Sequence, residues 1–353
     1  MSRPLVALRC DAGANTGIGH LMRCLALAEG LSQVGVGAVV VGTVDEVPLA
    51  QRLLVHHGLM AHAAPTASLV PLLEDLGASA LVVDSYEVPA VTYAQVRATG
   101  CPVVAVVDAP APGLEADLLV NPNYASEPSM AVPHRGRVLA GVSYALLRSS
   151  VTHRRPLAPP GAPKGARRVL VVLGGTDVLL AAVTVAERLL ATGLALEVDV
   201  VCSTPHMRKM VGQLTSQPGQ RVTALGPVDD LAALAVEADL VVSAAGTTVW
   251  ELACLGRPMA LVPVVDNQIR GYSAVVSAGL AVGLGPAERL NSAPQKITAI
   301  LAQLLGDRSR RASLSAAGYA LVDGRGRERL AAEIKALLGA GGNVVPTARG
   351  DNL

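Results

Sequence analysis

The sequence predicts an α/β protein of two Rossmann-like domains, each with a mostly parallel sheet, facing each other across a cleft. Three observations carry this. Short apolar runs alternate with helix-length segments along the chain. That rhythm is interrupted once, between Arg154 and Gly165, by a stretch rich in Pro, Gly and Ala. Finally, hydrophobic residues make up 51% and charged residues 16% of 353 positions, with no Phe and one Trp, so Leu, Val and Ala must fill the cores. Aliphatic cores of that kind suit parallel strands covered on both faces by helices.

The elements follow in order. Leu5–Arg9 reads as a strand. His20–Val34 reads as a helix, with Leu21, Cys24, Leu25, Ala28 and Leu31 at helical spacing. Ala38–Val41 is a strand, and Pro48–His57 and Ala67–Leu76 are helices. Ala80–Val83 is a strand running into Asp84, Val91–Thr99 a helix, and Val103–Val107 a strand running into Asp108. Residues 1–152 thus form the first domain and 153–167 an extended linker. The rhythm then restarts over residues 168–340. Strands are expected at Val169–Leu173, Glu197–Cys202, Val222–Leu225, Leu240–Ser243 and Met259–Val262. Helices are expected at Leu179–Thr192, Pro205–Ser216, Leu231–Ala238 and Val249–Leu255. Residues 341–353 lack periodicity and read as a disordered tail.

Bulk features exclude several function classes. With 29 Lys and Arg against 28 Asp and Glu, the net charge is +1 and no block of like charge stands out. Nothing favours nucleic acid or an anionic membrane. Five widely spaced cysteines without a CxxC argue against a disulfide framework or a zinc site. The pair His56 and His57 has no carboxylate or thiol near it at ligand spacing, so no metal is expected there. No apolar stretch is long enough to span a membrane, and no signal peptide is apparent. The expectation is a cytoplasmic monomer without cofactor.

Chemistry concentrates at strand ends, where such sheets bind ligands. The first strand runs into a Gly-rich turn holding Gly17, Gly19 and His20. Such a turn before a helix lets an anion approach bare N–H groups. A histidine there is kept neutral by the helix dipole, as a general base requires, although it could equally cap or pack the turn. The spacing matches neither a dinucleotide fingerprint nor a P-loop. Gly174, Gly175, Thr176 and Asp177 repeat the arrangement in the second domain, where N-capping and phosphate binding are both open. Residues 243–251 place Gly246, Thr247 and Thr248 before a helix with Glu251 one turn in. Thr248 and Glu251 could form a capping box; the sharper reading is a diphosphate site with Glu251 on a ribose diol. Asp266, Asn267 and Gln268 follow the last strand and face the cleft. Asp84 and Asp108 could be turn formers or site residues.

Taken together these segments, with Arg23, Asp84 to Tyr86, residues 117–124 and residues 141–148, resemble the UDP-2,4-diacetamido-2,4,6-trideoxy-β-L-altropyranose hydrolase family of pseudaminic acid biosynthesis. That family includes spore-coat polysaccharide proteins classed as glycosyltransferases. The resemblance spans residues 5–290 and implies a GT-B fold like that of MurG. It implies release of UDP from a UDP-sugar with inversion at the anomeric carbon. His20 matches the base that activates water, and Asn267 an asparagine near the sugar. Glu251 matches the ribose-binding glutamate, and Gly174, Gly175, Thr176, Gly246, Thr247 and Thr248 match the nucleotide loops. Gly17, Gly19, Arg23, Asp84, Tyr86, Asp108 and Gln268 are the remaining candidates for substrate contact. No metal is implied. The family often has Asp-His-Tyr at Asp84–Tyr86, a paired Asp-Asp at Asp108 and Ala109, and Gly-Gly at Ala245 and Gly246. Hydrolysis is therefore the first expectation. An inverting transferase with a soluble acceptor, or a non-catalytic nucleotide-sugar-binding protein, are the alternatives.

Overall fold

The structure is a computed structural model that describes residues 3–13, 17–44, 47–126, 130, 136–174 and 180–341. Its first sheet is formed by β1 (Leu5–Arg9), β2 (Gly37–Val41), β3 (Ala61–His62), β4 (Ala80–Val83), β5 (Val103–Val106), β6 (Leu118–Asn121) and β7 (Arg137–Ala140). The helices among them are α1 (Gly19–Gln33), α2 (Pro48–His56), α3 (Leu69–Asp75) and α4 (Ala90–Ala98), and α5 (Ser149–Thr152) follows β7. The strands lie in the order β3-β2-β1-β4-β5-β6-β7, with every described pairing parallel.

The second sheet contains β8 (Arg168–Val172), β9 (Glu197–Val201), β10 (Arg221–Leu225), β11 (Leu240–Ala244), β12 (Met259–Val262) and β13 (Val282–Gly283), in the order β10-β9-β8-β11-β12-β13. Its helices are α6 (Ala181–Leu190), α7 (Pro205–Gly212), α8 (Leu231–Ala235), α9 (Thr248–Cys254), α10 (Ile269–Ser277), α11 (Arg289–Ser292), α12 (Pro294–Gly306), α13 (Arg308–Leu321) and α14 (Gly326–Gly341). The two-domain α/β architecture expected from the sequence is present.

The central strands feed both faces of their sheets. Val6 and Leu8 join the core on one side of the first sheet, while Ala7 joins the core on the other. In the second sheet Val169 and Val171 oppose Leu170 and Val172 in the same way. This two-residue alternation explains why the strands read as unbroken apolar runs.

Two features depart from the sequence reading. Strands β3, β6, β7 and β13 were not expected. They are two to four residues long, and β6 follows β5 without an intervening helix, so no change of period marks it. The last helix, within the 168–340 stretch assigned to the second domain, returns to the first. Leu330, Ala331 and Ile334 of α14 are fully buried in the core beside β1. Gly30 of α1 makes this crossing possible, because a Cβ there would sit 2.8 Å from the Arg327 carbonyl oxygen. Beyond residue 341 the predicted tail lies outside the described residues.

The linker is strapped to the second domain. Proline has no N–H, so this segment offers mainly carbonyl oxygens. Tyr319, Ser315, Arg308 and Arg311 of α13 donate to the carbonyls of Pro156, Pro160, Ala162 and Pro163 at 2.7–3.2 Å.

A candidate active site at two sheet switch points

In each sheet the strand order reverses beside the first strand, between β1 and β4 and between β8 and β11. The connections there leave in opposite directions and open a crevice at the carboxyl ends. His20, Asp84 and Asp108 follow β1, β4 and β5, which are neighbours, so the sheet itself gathers them. Gly174, Gly246 to Thr248, and Asp266 to Gln268 follow β8, β11 and β12 in the same way.

His20 sits in the first turn of α1, whose N-terminus has no side-chain cap. It is buried, and its Nδ1 lies 2.6 Å from Asp84 Oδ1. Among the described residues, its hydrogen bonding is confined to Nδ1. Arg23 Nη2, which only donates, also lies 3.0 Å from Nδ1. The shorter approach is to the carboxylate, which only accepts, and this favours the proton on Nδ1 and leaves Nε2 as the basic nitrogen. The Tyr86 ring meets the imidazole edge-on, with centroids 4.8 Å apart and planes at 86°.

Arg23, one turn along α1, holds the carboxylates in place. It is buried, and it donates through Nε and Nη2 to Asp84 at 2.8 and 2.6 Å. Its Nη1 donates to Asp108 at 2.7 Å. The sequence reading put Arg23 on the substrate; here its guanidinium is engaged by two aspartates. Tyr86 Oη also donates to Asp108, and Asn123 Nδ2 does so at 2.9 Å. Burial alone would raise the Asp108 carboxyl. The Arg23 charge and these hydrogen bonds outweigh burial and hold it well below the usual carboxylate range. Burial first, then the Asp108 charge, push the Tyr86 hydroxyl far above its ordinary value, so it remains a donor. With both carboxylates formally charged, one guanidinium leaves the cluster at −1. A proton arriving on His20 would neutralise it.

The second-domain loops face this cluster. A Cβ on Gly19 would lie 3.5 Å from Thr247 Oγ1, so the two turns approach within van der Waals distance. Thr247 begins α9 without a side-chain cap. Among the described residues, the Glu251 carboxylate has no hydrogen-bond partner, so the possible capping box with Thr248 does not form. Burial raises its carboxyl, with the Arg148 charge pulling the other way. Gln268 Oε1 accepts from the Val264 N–H at 3.0 Å, shaping the turn that exposes Asn267. Gly17 and Gly174 adopt positive φ, 69° and 93°. Gly175 and Thr176 lie outside the described residues.

Two residues here lie in motifs of the sequence reading that were given no site role. Asn123 joins the cluster from the loop after β6, and buried Arg148 reaches the Asp229 carbonyl at 3.2 Å. The polar run Asn121, Pro122, Asn123 directly after a strand is the signal that could have found the first. Among the described residues there is no group of three His, Cys, Asp or Glu able to hold a metal ion. No helix among them is long and apolar enough to cross a membrane.

Residues 169–318 match the glycosyltransferase family 28 C-terminal domain. The chain is 24% identical over 345 residues to the spore coat polysaccharide biosynthesis protein SpsG of Bacillus subtilis, covering 94% of this chain and 98% of that one. It is 30% identical over 295 residues to the UDP-N-acetylglucosamine–N-acetylmuramyl-(pentapeptide) pyrophosphoryl-undecaprenol N-acetylglucosamine transferase of Sorangium cellulosum, covering 78% of this chain and 70% of that one. Among solved structures, MurG of Acinetobacter baumannii superposes with a TM-score of 0.67 at 17% identity, over 94% of this chain and 99% of that one. These likenesses fit the transferase alternative better than the hydrolase expected first, and none points to pseudaminic acid. By its fold and by these relatives, the chain belongs to the MurG-like GT-B glycosyltransferase superfamily, with a glycosyltransferase family 28 C-terminal domain.

Proposed function

We propose that this protein transfers a glycosyl group from a nucleoside diphosphate sugar, with UDP as the nucleotide, to a soluble hydroxyl acceptor with inversion. The observation that carries the reading is the His20–Asp84 pair, buried at one switch point, with the Thr247 loop of the other switch point against the neighbouring Gly19. His20 Nε2 accepts the acceptor's hydroxyl proton as that oxygen bonds to the anomeric carbon. The bond from that carbon to the diphosphate oxygen breaks, and UDP leaves with the electron pair. Asp84 orients the imidazole and stabilises the imidazolium.

Gly174, Gly175, Thr176, Gly246, Thr247 and Thr248 receive the diphosphate. Developing charge on the leaving oxygens is met by helix N–H groups and hydroxyls. Glu251, a carboxylate without a protein partner among the described residues, accepts from the ribose diol. Asn267 and Gln268 approach the sugar from the second domain, and Tyr86 from the first, while Gly17 and Gly19 leave room for it. Arg23 and Asp108 act on the sugar indirectly, by holding Asp84 and Tyr86.

The test is a panel of UDP-sugars, each incubated with and without soluble sugar acceptors while UDP release is followed. Release that requires an acceptor is the expected result. Release in water alone would make the same dyad a hydrolase. Tight UDP binding without release in either arm would overturn the enzymatic reading.

A further inference from the structure

One side chain joins the two halves of the candidate site. Asn123, in the loop after β6, donates through Nδ2 to Asp108 Oδ1 at 2.9 Å and to Asn121 Oδ1 at 3.0 Å. Its Oδ1 accepts from the indole N–H of Trp250 at 3.4 Å. Trp250 belongs to α9, three residues after Thr247 and one before Glu251. Asp108 belongs to the cluster that runs through Arg23 and Asp84 to His20. The orientation of the Asn123 amide is fixed by chemistry, since a carboxylate only accepts and an indole N–H only donates. The surrounding seam is packed: Trp250 is buried, and Tyr124, next to Asn123, packs on the same core.

We infer that Asn123 is a positioning residue that sets the His20 base of the first domain in register with the nucleotide-side helix α9 of the second. No other side chain of that size could do both halves of the task. Aspartate would keep an acceptor for Trp250 but could not donate to Asp108, and would place a second carboxylate against it. An aliphatic residue would leave the buried Trp250 N–H without this acceptor and Asp108 with one donor fewer. Asn123 reaches the base through Asp108, and from there through Arg23 and Asp84 or through Tyr86, so its loss should disturb reaction geometry and leave nucleotide binding intact. A displacement of about 1 Å at a reacting centre can cost about 100-fold in rate. This inference rests on the transferase reading above.

The test compares wild type, Asn123→Ala, Asn123→Asp, Trp250→Phe and the Asn123→Ala/Trp250→Phe double variant. The donor is the UDP-sugar that turns over in the panel, UDP binding is read by calorimetry, and melting curves confirm folding. The expected result is a kcat about 100-fold lower in Asn123→Ala and in Asn123→Asp, with UDP affinity unchanged. Trp250→Phe should lower kcat too, and the double variant should be no worse than Asn123→Ala alone, because one bridge is being broken twice. Additive losses, an equal fall in UDP affinity, or a normal kcat in Asn123→Ala would overturn the inference. Failure of wild type to turn over any donor would overturn the transferase reading instead. The bridge is then judged by Trp250, the only tryptophan in the chain. Its emission should change in Asn123→Ala as the indole N–H loses this acceptor, and an unchanged spectrum would overturn the bridge.

Discussion

The Nδ1 of His20 and the Oδ1 of Asp84 lie 2.6 Å apart although 64 residues separate them in the chain. Adjacent parallel strands create this closeness. Arg9, which ends β1, pairs in register with Val83, which ends β4; Asp84 is the next residue, and His20 opens the helix that follows β1.

Replacing Asp84 with Asn should therefore harm the chemistry more than the fold. The amide can present a donor to Nδ1 and force the wrong tautomer, and in a comparable dyad this costs on the order of 10⁴-fold in kcat. A steady-state kcat within tenfold of wild type would rule out the orienting role.

His20→Ala removes the base but leaves the nucleotide loops in the second domain untouched. Turnover should fall by at least about 100-fold, the usual scale of general base catalysis, while UDP binding by calorimetry stays as in wild type. Near-normal turnover would take His20 out of the mechanism.

Glu251→Gln separates binding from stability. The carboxylate is raised by burial, so neutralising it should leave the melting temperature unchanged or higher. If it accepts from a ribose diol, UDP affinity should drop about tenfold or more, since hydrogen bonds to a charged group contribute about 1.5–3 kcal/mol. Unchanged affinity would leave Glu251 with no ribose role.

Asp108 makes the fold acid-sensitive in a defined direction. Its native carboxyl lies below the unfolded value of 3.8, so its stabilisation is complete above that value and is lost as pH falls through it towards the native value. Asp108→Asn should flatten this part of the acid-unfolding curve, and an identical pH dependence in the variant would contradict the assignment.

At the crossing of α1 and α14, Glu29 accepts from the Ser149 N–H at 2.6 Å and from the Ser149 hydroxyl at 3.0 Å, and pairs with buried Arg327. Glu29→Ala removes the nearest carboxylate from that guanidinium and leaves it Glu328 at 3.7 Å and the Leu147 carbonyl at 3.2 Å, and loss of one partner of a buried pair costs up to about 3–5 kcal/mol. Chemical denaturation should show a loss of this order. A change under 1 kcal/mol would mean that the pair is solvated.

Most of the sheet architecture is legible from local pattern, because apolar runs ending in Asp84 and Asp108 carry both the strand and its functional terminus. What stays hidden is decided by long-range packing. The return of α14 depends on Gly30 admitting the Arg327 carbonyl, 297 residues away, and no local period announces that. Arg23 is legible as a site residue by position, but its partners are not. Whether a cleft arginine meets a phosphate or two buried aspartates depends on how β4 and β5 align, which the sequence does not spell out. Asn123 lay within a recognised motif, yet its link to Trp250 exists only once the domains are docked.

The linker and the return to α14 touch each other. Arg155 of the linker stacks on Tyr319 at 3.7 Å and donates to the carbonyls of Cys254, Tyr319 and Val322, the last at the second crossing. The chain passes between its domains twice, and a single guanidinium clasps both passages. Loss of that one side chain would therefore loosen both connections at once, so the two links between the domains are not independent of each other.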